Sequence, residues 1–239
     1  MISVAIPTMK RWFFLKDLLP IYLERPEVSE VVICDETGED VDEILKSSFS
    51  NNPKLKLHKN EKRLGIYENK RKVLSLVSSN WVALFDSDNI FGDDWFEHIS
   101  SFASGPGLDP NTIYASADFK TVDMRSGSVN RPCTQFSGIT IDSSSWNSMF
   151  SKRGWNFLLN DGNWLVPKSI LATLPADTKS DTLLAADAIY MLRCFIQGGY
   201  SIHYVKGLEY THLVHDGSSW LQTAAQSDRI FMSTDWRIF

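Results

Sequence analysis

Short apolar runs alternate with amphipathic stretches over the first hundred residues. Four runs rich in branched and aromatic residues end in polar turn residues, which predicts strands at 2–6, 30–34, 55–59 and 81–85. The stretches between them place apolar side chains at helical spacing, which predicts helices at 11–24, 41–49 and 65–79, the first kinked or interrupted at Pro20. Strands that alternate with helices in this way are typical of right-handed crossovers and a mostly parallel sheet.

The pattern is less regular after residue 100. Strands are predicted at 112–119, 162–167 and 200–205, and residues 126–154, which are rich in Ser, Gly and Asn, are predicted to form loops over the sheet. The clearest helix is 180–199, which ends in two glycines, and a terminal helix is predicted at 218–232 with Ser218 or Ser219 as its N-cap. We expect a single α/β domain, because the chain contains no repeats and no long linkers.

Composition and charge limit the partners that this fold could have. The chain has 239 residues, of which 43% are hydrophobic, enough for a sizeable core. A net charge of −5 argues against nucleic acid or anionic lipid as a partner. No apolar run approaches the roughly 20 residues that span a bilayer, and the N-terminal run is too short for a signal peptide. The three cysteines are far apart and odd in number, which indicates a reducing compartment and predicts a cytoplasmic protein.

Candidate chemistry begins where the fourth predicted strand ends, in the stretch "WVALFDSDN" at 81–89. In parallel sheets ligands bind beyond the carboxyl ends of the strands. The polar residues that fall at such ends are Thr8, Asp35, Glu36, Asp86 and Asp88. Two carboxylates one residue apart offer hard oxygen ligands to Mg²⁺ or Mn²⁺ and leave coordination positions for phosphate oxygens. The alternative is an ordinary solvated turn, since Asp, Ser and Asn are common turn residues.

Four segments of the first half resemble, in order and approximate spacing, the nucleotide-binding half of nucleotide-sugar glycosyltransferases of the GT-A fold, family 2 type. They are "SVAIPT" at 3–8, "VVICDE" at 31–36, "LGIYENK" at 64–70 and "FDSDN" at 85–89. The segment "AADAIYMLRCFIQGGYSIHYV" at 185–205 is similar to the family's helix that carries a catalytic carboxylate. A fainter resemblance is to a small viral capsid-modifying transferase of the same fold.

The resemblance implies one GT-A domain over residues 1–239. Its fold would be a Rossmann-like, mostly parallel central sheet flanked by helices, with a smaller subregion on the acceptor side. Residues 1–100 would form the nucleotide-binding half, and residues 101–239 the acceptor-binding and catalytic half.

The resemblance also implies which residues bind the nucleotide of the donor. They are Pro7, Thr8, Asp35, Glu36, Gly65, Asn69, Lys70, Asp86 and Ser87. Asp35 would accept hydrogen bonds from a uracil or a ribose, and Lys70 would add charge at a helix start that already favours anions. For Asp35 and Glu36 the alternative is a simple turn, and for Lys70 it is a solvated helix face.

A divalent cation is expected on the same carboxylates. The resemblance makes Asp88 the main ligand of Mn²⁺ or Mg²⁺, with Asp86 contacting the ribose or, through water, the metal. His212 is the candidate third ligand and His215 the second choice for that place, since neutral imidazole binds Mn²⁺. The alternative for either histidine is a structural role.

Asp187 is the candidate catalytic base, because an acceptor hydroxyl needs a carboxylate nearby to take its proton. The family usually has an acidic pair here, whereas this chain has Ala186 before Asp187; the alternative is a surface aspartate that the helix dipole favours. Asp161 is the reserve base on the acceptor side. Trp164, together with Trp155, is a candidate aromatic platform for the acceptor sugar, although tryptophans are also good core residues.

These expectations combine into a metal-dependent, inverting glycosyltransferase that moves a sugar from a UDP-sugar to a hydroxyl of a glycan or glycoconjugate. One alternative is a sugar nucleotidyltransferase, although its glycine-rich first loop is missing because "PTMKRWFF" at 7–14 has no glycine. Another is a non-catalytic module that binds nucleotides or carbohydrates and has no need of Asp187.

Overall fold

A computed structural model of the chain describes residues 1–104, 107–176 and 180–238. The first half alternates strands with helices, as the sequence predicts. Its elements are β1 (Ile2–Thr8), α1 (Trp12–Glu24), β2 (Val28–Asp35), α2 (Glu39–Lys46), β3 (Leu55–Lys59), α3 (Ile66–Leu76), β4 (Trp81–Leu84) and α4 (Asp93–Ser104). Helix α4 was not predicted, and α1 runs past Pro20 without interruption.

The second half contains shorter elements. They are β5 (Thr112–Ala115), β6 (Lys120–Asp123), β7 (Val129–Asn130), β8 (Thr140–Ile141), α5 (Trp146–Met149), α6 (Trp155–Leu159), β9 (Trp164–Pro167), α7 (Ser180–Leu183), α8 (Asp187–Gln197), β10 (Ser201–Tyr204), β11 (Thr211–Val214), α9 (Ser219–Gln222) and α10 (Ala224–Ser233). Three 3₁₀ helices lie at Thr134–Phe136, Lys168–Thr173 and Leu184–Ala186. The segment 126–154, predicted to form loops, also contains the short elements β7, β8 and α5.

The larger sheet of the described chain has eight strands in the order β3-β2-β1-β4-β9-β5-β10-β8. Strands β3, β2, β1 and β4 are parallel neighbours, and β5 and β10 form another parallel pair. Strands β8 and β9 run antiparallel to their neighbours. The sheet is thus mostly parallel, as predicted, and β9 inserts the second half of the chain beside β4.

Strands β1, β2 and β4 are buried along most of their length, which explains why they are mostly apolar rather than alternating, whereas β3 at the sheet edge is only partly buried. In β1, for example, Val4, Ala5 and Ile6 are at most 1% exposed. On α3, Val73 and Leu74 face the core and are buried. Burial of each of the larger apolar side chains stabilises the folded state by about 1.5–3 kcal/mol. This half of the sheet is therefore a rigid support for the residues at the strand ends.

The predicted helix at 180–199 is broken in the structure. α7 ends at Leu183, a 3₁₀ turn follows, and α8 begins at Asp187, with Ala185 outside helical geometry at φ −88° and ψ 19°. Leu184 has a positive φ of 46°, which is costly for a residue with a Cβ. The break puts Asp187 in the first turn of α8. The predicted terminal helix is likewise divided, and Ser218 precedes α9 without a capping side-chain hydrogen bond.

A cluster of aromatic rings fixes the segment that follows β4. Phe85 stacks on Phe91 with ring centroids 3.6 Å apart, and Phe91 stacks on Tyr210 at 4.7 Å. Such pairs contribute about 0.5–1.5 kcal/mol beyond the area they bury. The polar residues between Phe85 and Phe91 are therefore held in a short loop clamped at both ends.

A smaller sheet, in the order β11-β6-β7, lies beside that loop. Ile90 pairs with Thr211, the first residue of β11, through an antiparallel bridge with two backbone hydrogen bonds of 2.9 Å. This contact positions His212 and the segment after β11 opposite Asp88. Over the described residues, the helices are all too short or too polar to cross a membrane.

Candidate active site

A cleft that is partly open to solvent lies at the carboxyl ends of β1, β2 and β4. It gathers most of the residues that the sequence singles out. Those that line it are Pro7, Thr8, Glu36, Gly65, Asn69, Lys70, Asp86, Ser87, Asp88, Asp187 and His212. Asp35, Asp161 and Trp164 are not among the lining residues, and each has a different position and role.

Lys70 joins the two halves of the cleft. Its ammonium group lies 3.0 Å from Asp86 Oδ1 and 3.0 Å from Asp187 Oδ2. The side chains of Lys70 and Asp187 are only 5% and 7% exposed. In this structure Lys70 thus pairs with two protein carboxylates, and its binding of the nucleotide stays a prediction. The carboxylate at the end of β4 and the candidate base on α8 share one cation.

Burial and charge act in opposite directions on these groups. Burial raises the pKa of Asp187, and the nearby Lys70 charge opposes part of that rise. Burial alone would lower the pKa of Lys70, but the charges and hydrogen bonds of Asp187 and Asp86 outweigh it and raise the pKa above its ordinary value. Lys70 therefore stays protonated, and Asp187 is a carboxylate with more affinity for a proton than an exposed one.

Asp86 is also held from behind. Its backbone N–H donates to Asn163 Oδ1 at 2.8 Å, and its Oδ2 accepts from Asn163 Nδ2 at 3.2 Å. The same amide nitrogen donates to Asp161 Oδ1 at 2.7 Å, which also accepts from the Tyr210 hydroxyl at 2.6 Å. Asp161, predicted as an acceptor-side base, is instead buried behind Asp86, where it supports Asn163. Its burial raises its pKa to about 6.

Asp88 faces a different set of partners. Its Oδ2 lies 3.0 Å from His215 Nε2 and 3.3 Å from Arg11 Nε. The Gly217 N–H donates to His215 Nδ1 at 3.1 Å, which makes Nε2 the nitrogen that carries the proton toward Asp88. Burial alone would raise the pKa of Asp88, but the His215 hydrogen bond and the Arg11 charge lower it below its ordinary value. Asp88 is thus kept ionised at the cleft wall.

The donor atoms for a cation can be tested against this geometry. In the ranges that the structure describes, no three His, Cys, Asp or Glu side chains are grouped as a ready-made metal site. Asp88 makes its side-chain contacts through Oδ2, and the buried Nδ1 of His212 has no hydrogen-bond partner among the described residues. A carboxylate oxygen and a free imidazole nitrogen fit Mn²⁺ or Mg²⁺, which proteins often bind with one or two side chains plus substrate phosphates.

The first loops of the sheet are fixed by buried carboxylates. Asp40 accepts the Thr8 hydroxyl at 2.5 Å and the backbone N–H groups of Arg11 and Trp12 at 2.7 and 2.8 Å. Glu36 accepts the Leu64 N–H at 2.6 Å, which ties the end of β2 to the loop before α3. These bonds set the shape of the cleft floor around Thr8 and Glu36.

Asn69 and Gly65 continue that floor. The Asn69 amide donates to the Cys34 carbonyl at 3.1 Å and accepts from Asn60 Nδ2 at 2.8 Å. Gly65 has a φ of 84°, a conformation that residues with a Cβ rarely adopt, and it starts α3. The predicted site residues Asn69 and Gly65 thus line the cleft while holding the turn between β3 and α3.

Two predicted site residues have structural positions instead. Asp35 is fully buried, with Oδ1 accepting the Thr37 N–H at 3.0 Å and Oδ2 the Val41 N–H at 3.1 Å. Its carboxylate satisfies backbone donors at the start of α2, so the prediction that it meets a uracil or ribose is wrong for this structure. Trp164 is 1% exposed and packs edge-to-face on Phe195, which makes it a core residue rather than a sugar platform.

The comparisons with known proteins agree with this arrangement. A family model described as "Glycosyl transferase family 2" matches residues 3–152, more than half of the chain. The chain belongs to glycosyl transferase family 2. The match includes β1 to β4, which carry the lining residues from Pro7 to Asp88. A search of curated proteins found no significant match.

Solved structures with the same fold include those of S. aureus TarS. TarS 1–349 with UDP-GlcNAc is 14% identical, with a TM-score of 0.66 over 91% of this chain and 60% of that one. TarS 1–349 with UDP is 15% identical, with a TM-score of 0.66 over 96% and 64%. A third structure of S. aureus TarS is 13% identical, with a TM-score of 0.65 over 95% of this chain and 39% of that one. These likenesses confirm the GT-A fold. The chain spans less than two thirds of the length of the TarS chain in each of the three structures.

Some lining residues of this family 2 chain were missed in the sequence. Arg11 and Trp220 line the cleft, and Asn163 supports Asp86 from behind. Asn163 could have been suspected from "NDGNW" at 160–164, where polar residues directly precede a buried strand. No sequence pattern points to Trp220, because the segment after β11 is brought to the cleft by the tertiary pairing of Thr211 with Ile90. Trp155 stacks on Phe231 at 5.1 Å and is partly buried in the core.

Proposed function

We propose that the chain transfers a sugar from a UDP-sugar to a hydroxyl group of a glycan or glycoconjugate, with inversion at the anomeric carbon. One observation carries the proposal: Asp187 of α8 lines the same cleft as Asp86 and Asp88 and is joined to Asp86 through Lys70. Family membership supports sugar transfer. The complexes of TarS with UDP and UDP-GlcNAc support a UDP-sugar as the donor.

In the proposed reaction Asp187 is the general base. The acceptor oxygen attacks the anomeric carbon from the side opposite the nucleotide, and its proton passes to the Asp187 carboxylate. A carbon–oxygen bond forms to the acceptor as the bond to the diphosphate breaks, and its electron pair leaves with UDP. The burial that raises the pKa of Asp187 makes it a better proton acceptor, while Lys70 favours its ionised form.

The floor of the cleft would bind the nucleotide. Pro7, Thr8 and Glu36 lie at the ends of β1 and β2, and Gly65 and Asn69 lie at the start of α3. Burial raises the pKa of Glu36, and its Oε2 already accepts a backbone N–H. Because Asp35 is buried, we assign Glu36 as the carboxylate at this end of the cleft that faces the ribose or base.

Asp88 and His212 would hold the divalent cation, Mn²⁺ or Mg²⁺, with Asp86 beside them. When bound, the cation supplies positive charge to the diphosphate. Asp86 has both oxygens engaged, by Lys70 and by Asn163, so it acts mainly as a fixed charge next to the ligands. Trp220 at the cleft wall replaces Trp164 as the aromatic side chain available to a sugar.

The proposal is tested by turnover of the Asp187→Asn variant. UDP release from a panel of UDP-sugars is measured with Mn²⁺, with water and added glycans as acceptors. Loss of a general base lowers kcat by about 10²–10⁴-fold, and the donor KM should change little because Asn keeps the shape of the side chain. Asp228→Asn is the matched control, since Asp228 is exposed on α10.

Each outcome of that experiment has a clear reading. Turnover in wild type and in Asp228→Asn, but not in Asp187→Asn, supports the proposal. Equal turnover in all three proteins removes Asp187 from catalysis. Binding of UDP-sugars without turnover in any of them would identify a non-catalytic module, and release of pyrophosphate from UTP and a sugar phosphate would identify a nucleotidyltransferase.

A further inference from the structure

The cleft contains a basic side chain to which the proposed reaction gives no role. Its lining includes three basic side chains, those of Arg11, Arg63 and Lys70. Lys70 is committed to Asp86 and Asp187. Arg63 is exposed to solvent, where its charge is screened. Arg11 differs from both, because its side chain is 14% exposed and lies beside Asp88.

The backbone at Arg11 is fixed before its side chain enters the cleft. Asp40 accepts the Arg11 N–H at 2.7 Å, and Arg11 directly precedes α1. Lys10, the residue before it, has a φ of 59°, a strained conformation for a residue with a Cβ. This turn directs the side chain of Arg11 across the cleft wall rather than outward, and the buried Asp40 holds the turn in place.

The guanidinium group of Arg11 reaches the segment after β11. Nη2 donates to the Gly217 carbonyl, and Nε lies 3.3 Å from Asp88 Oδ2. A Cβ at Gly217 would stand 3.2 Å from Arg11 Nη1 and 3.0 Å from the His215 ring, so the close approach depends on glycine there. A guanidinium carries five N–H donors in a rigid fork. Even with the longer 3.4 Å contact to the Lys10 carbonyl, donors remain for a ligand in the cleft.

We propose that Arg11 binds the diphosphate of the donor and thereby selects nucleoside diphosphates over nucleoside monophosphates. This inference rests on the proposed function. Asp88 and the Gly217 carbonyl hold the guanidinium plane at the cleft wall, and its remaining N–H groups bond phosphate oxygens bidentately, the geometry in which Arg is stronger than Lys. Because Lys70 is paired with Asp86 and Asp187, Arg11 is the side chain at the cleft wall that offsets the charge of the second phosphate.

The test compares UDP with UMP by isothermal titration calorimetry, with and without Mn²⁺. In Arg11→Met the affinity for UDP should fall about tenfold or more, because a charge-assisted bond is lost, while the affinity for UMP changes little. Arg11→Lys should restore part of the UDP affinity. Lys46→Met is the matched control: it removes the same charge from an exposed side chain of α2 that pairs with Glu43 outside the cleft, and should bind UDP as wild type does.

The outcomes separate this inference from the proposed function. Wild type that binds neither nucleotide overturns both. Wild type that binds UDP, with an equal UDP affinity in Arg11→Met, overturns the role of Arg11 alone, and so does an equal loss for UDP and UMP, which would mean that Arg11 only shapes the cleft. If Arg11→Met fails to fold by circular dichroism, Arg11→Gln keeps a donor for the Gly217 carbonyl without the charge, and the same loss for UDP is expected.

Discussion

Asp86, Asp187 and Lys70 show how a single residue can decide the charge of a site. Two carboxylates of a half-enclosed cleft would repel one another and favour protonation if Lys70 were absent. One buried ammonium between them supplies a counter-charge to both carboxylates. Replacing one charged residue of such a buried cluster by a neutral one is expected to lower the free energy of unfolding by more than the ion pair contributes to it, because the remaining charge is left buried without a counterion.

Asp161 carries a prediction about pH at the same scale. It is 5% exposed, and burial raises its pKa to about 6. Hydrogen bonds from Tyr210 and Asn163 to one carboxylate oxygen oppose part of that rise, as does the charge of His212, while the charge of Asp86 adds to it. The folded protein therefore holds this proton at a pH where the unfolded chain has lost it. The free energy of unfolding accordingly falls as pH rises from about 4 through about 6, by up to about 3 kcal/mol from this group.

Asp161→Asn should remove that dependence. Urea unfolding of wild type and variant between pH 4 and 7 isolates the effect, since other titrating groups are common to both proteins. The variant should become more stable relative to wild type as pH rises, and most of the change should be complete near pH 7. Parallel stability curves over this range would show that Asp161 is ionised with an ordinary pKa in the folded state.

At the scale of elements, the loop 161–163 before β9 sets the position of Lys70. A Cβ added to Gly162 would overlap Lys70 Nζ and stand 3.7 Å from Asp86 Oδ2. The backbone of Gly162 does not adopt the left-handed conformation, so an alanine can take its place without backbone strain. The effect of the substitution therefore comes from the added methyl group alone. Gly162→Ala should displace Lys70 from its carboxylates and lower kcat on the order of 10²-fold, as small misplacements at a site do.

Gly92→Ala is the matched control for that variant, because a Cβ there meets no atom within 4 Å. Both variants are compared with wild type by UDP release and by melting temperature. A normal kcat in Gly162→Ala would mean that Lys70 has room to move without loss of function. A kcat loss shared by Gly92→Ala would point to a general effect on folding.

The elements also show how far the sequence could be interpreted. The four runs of the first half predicted their strands within a few residues, and the local signal is strongest for β1, β2 and β4, which are mostly apolar and mostly buried. The break before α8 had none, since "LLAAD" at 183–187 favours helix. Tertiary contacts make it: Asn160 donates to the Ala185 carbonyl at 3.0 Å, and the Ala185 N–H donates to Ser227 Oγ at 3.4 Å.

The site residues divide in the same way. Those at strand ends were found because topology brings parallel strand ends together, and Asp86, Asp88 and Thr8 do line the cleft. Asp35 was misassigned because a strand-end carboxylate can serve a helix start as well as a ligand, and spacing does not distinguish the two. Arg11 and its contact with Gly217 join residues about two hundred positions apart, which no local pattern could predict.

At the scale of the whole molecule, the cleft lies where both halves of the chain meet. Strand β9 pairs antiparallel with β4, and Ile90 pairs with Thr211, so segments far apart in sequence support the loop 86–90 from two sides. A ligand that contacts the strand ends, Lys70 and the segment after β11 at once should therefore stabilise the entire fold rather than one loop.

Nucleotide and cation should raise the melting temperature together. With UDP and Mn²⁺ at about 100 times the dissociation constant, the folded state gains about 2.7 kcal/mol, or roughly 5–10 °C for a domain of this size. UDP alone should give a smaller shift. In Asp88→Asn the UDP shift should remain while the increment from Mn²⁺ disappears, because the carboxylate that would bind the cation is gone. Asp94→Asn, which changes an exposed carboxylate on α4, should behave as wild type.

Two results would contradict a cation site at Asp88: no addition by Mn²⁺ or Mg²⁺ to the UDP shift of wild type, or the full Mn²⁺ increment in Asp88→Asn. In either case the charge of the diphosphate must be balanced by Arg11 and its neighbours.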